Sequence, residues 1–137
     1  MSTVRTLVVD DFEPFRRFVC STLGRSPGLQ VVGEASDGLE AVQKAEELKP
    51  DLILLDVGLP TLNGIEASHQ ISKVVPDSKI LFVTQNNDAD VARAALGNRA
   101  RGYVLKVDAK RELLSAVEAV LRGERFVSAG VNHYAGT

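Results

Sequence analysis

The sequence predicts an α/β domain of (βα)5 type, a doubly wound parallel sheet of five strands. Three observations carry this. Five short apolar runs recur along the 137 residues. The segments between them place apolar residues at i, i+3, i+4 spacing, as helices packed on one face do. The runs are almost continuously apolar, as strands buried on both sides are. Alternating strands and helices return the chain to the same edge at every crossover, so the strands run parallel. Of the two doubly wound orders open to five such units, the flavodoxin-like 2-1-3-4-5 is the expected one.

Strand 1 is "RTLVVD" (5–10), and the helix after it has Pro14 in its first turn and Phe15, Phe18, Val19 and Leu23 at helical spacing. Strand 2 is "LQVVGEA" (29–35); Asp37 and Glu40 then stand at capping-box spacing and open helix 2. Strands 3 and 4 are "DLILLD" (51–56) and "KILFVT" (79–84), with helix 3 between them. Helix 4, "ADVARAAL" (89–96), is alanine-rich and offers only Val91 and Leu96 as larger apolar groups, so it is lightly anchored. Strand 5 is "GYVLK" (102–106), Asp108 precedes the last helix, and Leu113, Val117, Val120 and Leu121 share one face of that helix. Beyond residue 122, "RGERFVSAGVNHYAGT" loses periodicity and gains Gly and Ser. The division read here is one domain over 1–124 and a tail over 125–137.

Composition excludes several classes. At 45% hydrophobic and 25% charged, the chain is of ordinary globular type, and sixteen basic against eighteen acidic residues leave a net charge of −2. No basic excess advertises a nucleic-acid surface, so direct DNA binding by this chain is not expected. The apolar runs fall far short of the ~18 residues of a membrane span, and a cytoplasmic location without membrane contact is expected. Cys20, the single cysteine, lies in the apolar pattern of helix 1 and reads as a packed thiol. His69 and His133 stand isolated, as surface or tail residues.

In a parallel sheet the strand ends share one rim, and ligands bind beyond the carboxyl ends. Asp51 begins strand 3 and reads as solvated; Asp56 ends it and is the candidate. Strand 1 ends in Asp10 and Asp11, strand 4 in Thr84, strand 5 in Lys106. With strands 1 and 3 adjacent at ~4.8 Å, three carboxylates converge, and their mutual repulsion calls for a cation. An oxygen-only donor set favours Mg²⁺, with Mn²⁺ as the alternative, over zinc. A carboxylate beside such an ion can be the nucleophile in phosphoryl transfer, with Lys106 and Thr84 holding phosphoryl oxygens. Taken alone, Asp10 or Asp11 reads equally well as a cap for helix 1.

In order and spacing, "VVDD", "LLDVGLPTLNG", "FVT" and "GYVLK" resemble the receiver domains of two-component response regulators, over about residues 4–127. The resemblance implies the fold of the chemotaxis response regulator. It further implies that Asp56 accepts a phosphoryl group from a sensor histidine kinase or histidine phosphotransfer protein. Asp11 and Asp56 would bind Mg²⁺ directly, Asp10 mostly through water, and the Gly58 carbonyl would complete the protein ligands. Thr84 and Lys106 would hold the phosphoryl oxygens, and Tyr103 matches the aromatic switch that turns inward when the threonine moves; without that role it is a half-buried strand aromatic. The strand 4, helix 4, strand 5 face would be the output surface, and a homodimer would form through helix 4, strand 5 and helix 5. The stretch "GYVLK…RELLSAVEAVLRGERFVS" is most similar to NarL/LuxR-type receivers, which normally continue into a helix-turn-helix domain. The chain is then either a stand-alone receiver or a piece of a longer DNA-binding regulator.

Several positions depart from the common family pattern. Gln85 stands where Ala or Gly is usual, to narrow the phosphate entrance or hydrogen-bond across it, or else to point to solvent. Val107 stands where a cis proline is common. Arg99 stands where a glycine often ends helix 4, so Gly97 or Asn98 is expected to take the left-handed cap. Gly58 and Asn86 occupy positions that tune dephosphorylation in the family. Two rivals fit less well. A haloacid-dehalogenase-like phosphatase needs a second acid two residues after its nucleophile, where Phe12 follows Asp10 and Gly58 follows Asp56. A flavin or dinucleotide binder needs G-x-G-x-x-G after strand 1, where acids stand instead.

Overall fold

The computed structural model describes residues 3–97 and 100–131. Strand β1 (Val4–Val9) leads to helix α1 (Glu13–Gly24), β2 (Leu29–Ala35) to α2 (Gly38–Leu48), β3 (Leu52–Leu55) to α3 (Gly64–Val74), and β4 (Lys79–Thr84) to α4 (Ala89–Leu96). After β5 (Gly102–Leu105), a 3₁₀ turn (Lys106–Asp108) enters α5 (Ala109–Leu121), and a short β6 (Phe126–Val127) follows. The sheet is parallel throughout, in the order β2-β1-β3-β4-β5-β6. The expected order 2-1-3-4-5 is present within it.

The expected count is short by one strand. Phe126 and Val127 pair with Gly102 and Tyr103 on the outer edge of β5. Two residues show no period of two, so this strand leaves no pattern in the sequence. It forms because Gly123, at φ 81°, turns the chain back after α5, and because the β5 edge offers unpaired groups: Phe126 N–H donates to the Arg101 carbonyl at 3.0 Å and Ser128 N–H to the Tyr103 carbonyl at 2.9 Å. The segment beyond the strand, up to Val131, packs down with it, Ser128 and Val131 being buried. β6 thus occupies the outer edge of β5.

Strand side chains alternate between two cores, as the period of two requires. Leu7, Val9, Ile53, Leu55, Phe82 and Tyr103 face α2, α3 and α4. Val8, Leu52, Leu54, Leu81, Val83 and Val104 face α1 and α5, meeting Val19, Leu23, Leu113 and Val117. The buried positions of α4 are Ala92, Ala95 and Leu96, a thin anchor beside the Leu113, Val117 and Val120 of α5. Cys20 is half-buried among the groups packed on the second core, and burial, with the Glu34 charge nearby, pushes its thiol up to about 11. A raised pKa favours the protonated thiol, the less nucleophilic form.

Helix ends follow the sequence in part. Asp37 accepts from Glu40 N–H at 2.8 Å, while the Glu40 carboxylate reaches back to Ser36 N–H at 2.8 Å, one residue earlier than a strict capping box. Asp108 makes no cap bond; it sits in the 3₁₀ turn, where its carboxylate pairs with Arg111 at 2.6 Å. Gly97 is right-handed at φ −71°, not the expected left-handed cap, and Asn98 and Arg99 lie outside the described residues, as does His133. The Lys106–Val107 peptide is trans, and Val107 is exposed. His69 is half-buried on α3. No helix of the described residues is long and apolar enough to cross a membrane.

Candidate functional site

Register builds the site. Val9 pairs with Leu55 across β1 and β3, so the next residues, Asp10 and Asp56, leave the sheet side by side. Both are buried, at 3% and 5% exposure. Asp11 stands beside them, exposed, and one carboxylate oxygen from each of the three lies within 4.8 Å of the others. Asp51 lies at the opposite end of β3, exposed, where its carboxylate accepts from Arg5 N–H at 2.8 Å. The question of which acid of "DLILLD" belongs to the cluster is answered by geometry: Asp56.

Lys106 enters from the end of β5, and its ammonium lies 2.8 Å from Asp10 Oδ2 and 3.0 Å from Asp56 Oδ2. Burial of the ammonium works to lower its pKa; the hydrogen bonds and charges of Asp10 and Asp56 outweigh that, and the net shift is upward. Burial pushes the Asp10 carboxyl up, against the opposing pull of the Lys106 hydrogen bond and of Phe12 N–H. Asp10 Oδ1 accepts from Phe12 N–H at 2.8 Å, a turn before α1 rather than a helix cap, since Phe12 itself holds the cap position without a side-chain bond. The Gly58 N–H lies 3.2 Å from Asp56 Oδ1. Three carboxylates against one ammonium leave two negative charges uncompensated, and all the donors are oxygens. That set fits one small divalent ion such as Mg²⁺.

Thr84 ends β4, buried, with its hydroxyl oxygen accepting from Asn86 N–H at 3.3 Å. The groups surround a cleft of about 700 Å³, whose walls also include Phe12, Phe15, Gln85 and Asn86. Gln85 is exposed and lines this cleft. Tyr103 is fully buried rather than half-buried: its ring packs 6.3 Å from that of Phe82 and its hydroxyl donates to the Asn86 carbonyl at 2.7 Å. Burial, together with the charges of Asp56 and Asp88, pushes the phenol up to about 12. Gly64 has a steric reason: a Cβ there would lie 1.9 Å from the Asp56 carbonyl oxygen, so "LNG" holds the loop after Asp56 close to α3.

Comparison with known proteins agrees with this arrangement. The profile of the response regulator receiver domain matches residues 6–118. This chain belongs to the response regulator receiver domain family. Its curated relatives include the response regulator GacA of Pseudomonas viridiflava, 38% identical over 91% of this chain, and the response regulator protein VraR of Staphylococcus aureus, 38% identical over 89%. The chain spans 58% of the length of each. Among solved structures, a LuxR-family two-component response regulator from Aurantimonas sp. superposes with TM-score 0.91 at 35% identity, covering 98% of this chain and 96% of that one. The response regulator domain of Thermotoga maritima CheB gives TM-score 0.81 at 34% identity, covering 88% and 97%.

Two contributors to this receiver escaped the sequence. The Phe15 ring lies under the Lys106 ammonium, 4.7 Å from centroid to nitrogen; in the sequence Phe15 is one apolar position of α1 among four. Ser128, in the stretch read as a tail, accepts from Leu105 N–H at 3.0 Å and donates to Glu112 at 2.5 Å, bracing the residue before Lys106. Neither leaves a spacing signal, because each acts through a long-range contact.

Proposed function

We propose that this receiver is a phosphorylation switch in which Asp56 accepts one phosphoryl group from the phosphohistidine of a sensor kinase or histidine phosphotransfer protein. The observation that carries this is the cluster of Asp10, Asp11 and Asp56, with the Lys106 ammonium bonded to Asp10 and Asp56, on the rim where Thr84 also ends its strand. A carboxylate oxygen of Asp56 would form the bond to phosphorus as the phosphorus–nitrogen bond of the donor breaks, its electron pair staying on the imidazole. Bound Mg²⁺ would spread and neutralise charge on the transferring phosphoryl oxygens. Asp11, Asp56 and the Gly58 carbonyl would hold it directly, and Asp10 mostly through water.

Lys106 would exchange its bond to Asp56 for one to a phosphoryl oxygen, and the Thr84 hydroxyl would turn to another. Thr84 and Tyr103 are linked through Asn86, so movement of the threonine would reach the β4–α4 loop and, through the weakly anchored α4, the β4–α4–β5 output face. The chain would act on no outside substrate and would work in the cytoplasm. The lengths of GacA and VraR favour a second reading, in which this receiver is part of a longer DNA-binding regulator; the gene beyond codon 137 of the reading frame tests it.

The first test is phosphotransfer from acetyl phosphate and from phosphorylated kinases. Wild type takes up one phosphoryl group in Mg²⁺ and Asp56→Asn takes up none. Uptake by Asp56→Asn at the wild-type level would reject Asp56 as acceptor.

A further inference from the structure

We infer that Phe15 is a positioning residue for Lys106, its ring face confining the ammonium to the arc between the carboxylates and the incoming phosphoryl group. This rests on the proposed role of the site. The observation is that the same ammonium lies over the Phe15 ring, 4.7 Å from its centroid, while it is held at 2.8 Å by Asp10 and at 3.0 Å by Asp56.

A lysine has a flexible four-carbon stem and a strongly hydrated head, so two carboxylates alone leave it free to swing outward. An aromatic face attracts the ammonium through the ring quadrupole without holding it by a directed bond. It therefore resists loss of the charge to water while allowing the head to slide from Asp56 to a new anion. A polar residue there would compete for the ammonium, and an aliphatic one would shield it without attraction.

The ring itself is fixed. Arg16, next in α1, donates to the Asp10 carbonyl at 2.8 Å and to Glu34 at 2.8 Å, which pins the first turn of α1 to the ends of β1 and β2. Phe18 lies beside the ring, 5.6 Å away between centroids, and serves as the control for the packing of α1 alone. The helix turn that carries the ring is thereby tied to the strand end that carries Asp10.

The test compares Phe15→Leu, Phe15→Tyr and Phe18→Leu by two measurements. The first is the ring-current shift of the Lys106 ε-methylene protons by NMR, which reads the contact without any phosphorylation. The second is the rate of phosphorylation by phosphoramidate at saturating Mg²⁺. The expected result is an upfield-shifted methylene in wild type, lost only in Phe15→Leu, and a rate about three- to tenfold lower in Phe15→Leu alone. Phe15→Tyr keeps the π face and stays within about twofold of wild type. Phe18→Leu controls for loosening of α1 and leaves the rate unchanged. Equal rates in wild type and Phe15→Leu, or an equal fall in Phe15→Tyr or Phe18→Leu, overturn the role of the ring. A wild-type protein with the shifted methylene that takes up no phosphate overturns instead the reading of the site on which this role rests.

Discussion

Tyr103 shows what a single residue's surroundings do to its chemistry. Its phenol, buried and facing the negative charges of Asp56 and Asp88, is held at about 12 against an ordinary 10.0. Because the folded value is the higher one, the neutral phenol contributes stability that is complete below pH 10.0 and lost as pH rises through about 12. Tyr134 is the only other tyrosine. In a Tyr134→Phe variant, tyrosinate absorbance is therefore expected to appear near pH 12, with unfolding in the same range. A transition near 10 in the folded protein contradicts the buried, hydrogen-bonded placement of Tyr103. That placement was only half legible: strand 5 pointed to an aromatic at this position, but full burial depends on Phe82 from β4 and on the Asn86 carbonyl, which no local pattern encodes.

Among the elements, β6 does most with fewest residues. Its two paired residues extend into Ser128, whose hydroxyl stands in for a strand carbonyl toward Leu105 N–H and donates its own hydrogen bond to Glu112 of α5. Three elements, β5, β6 and α5, meet at one side chain immediately before Lys106. Ser128→Ala leaves a buried N–H without its partner and is expected to cost about 1–3 kcal/mol, read as a lower urea midpoint at unchanged slope. An unchanged midpoint would mean that water replaces the hydroxyl and the brace is dispensable. The five longer strands were legible because a fully buried parallel strand is a run of apolar residues. Asp37 was legible because capping is local. Asp108 does stand just before α5, as read, but its carboxylate pairs with Arg111 instead of capping the helix, a choice that its residue type does not encode.

For the whole molecule, the acidic rim is a cost that folding imposes and that a bound cation would relieve. Parallel register forces Asp10 and Asp56 together, Asp11 adds a third charge, and Lys106 balances only one of the three. Divalent ion binding to the folded state alone is expected to stabilise it by about 2.7 kcal/mol at a concentration 100-fold above Kd. In Asp11→Asn the metal-free protein is expected to be at least as stable as wild type, because a like charge is removed, while the Mg²⁺ increment falls away. Thermal unfolding with and without Mg²⁺ checks both, and a full Mg²⁺ increment in Asp11→Asn would exclude this carboxylate as a ligand. The rim itself was readable from the chain, since strand ends in a parallel sheet must share one side. The ring beneath Lys106 was not, because an apolar residue one turn into a helix belongs by pattern to the core.

The most direct measurement is intact-mass spectrometry of the protein after phosphoramidate treatment, with Mg²⁺ or with chelator, followed by borohydride reduction to map the modified carboxylate. One phosphoryl group gained only with Mg²⁺ and mapped to Asp56 is the predicted result. A gain that ignores Mg²⁺, or one that maps to another residue, contradicts the account.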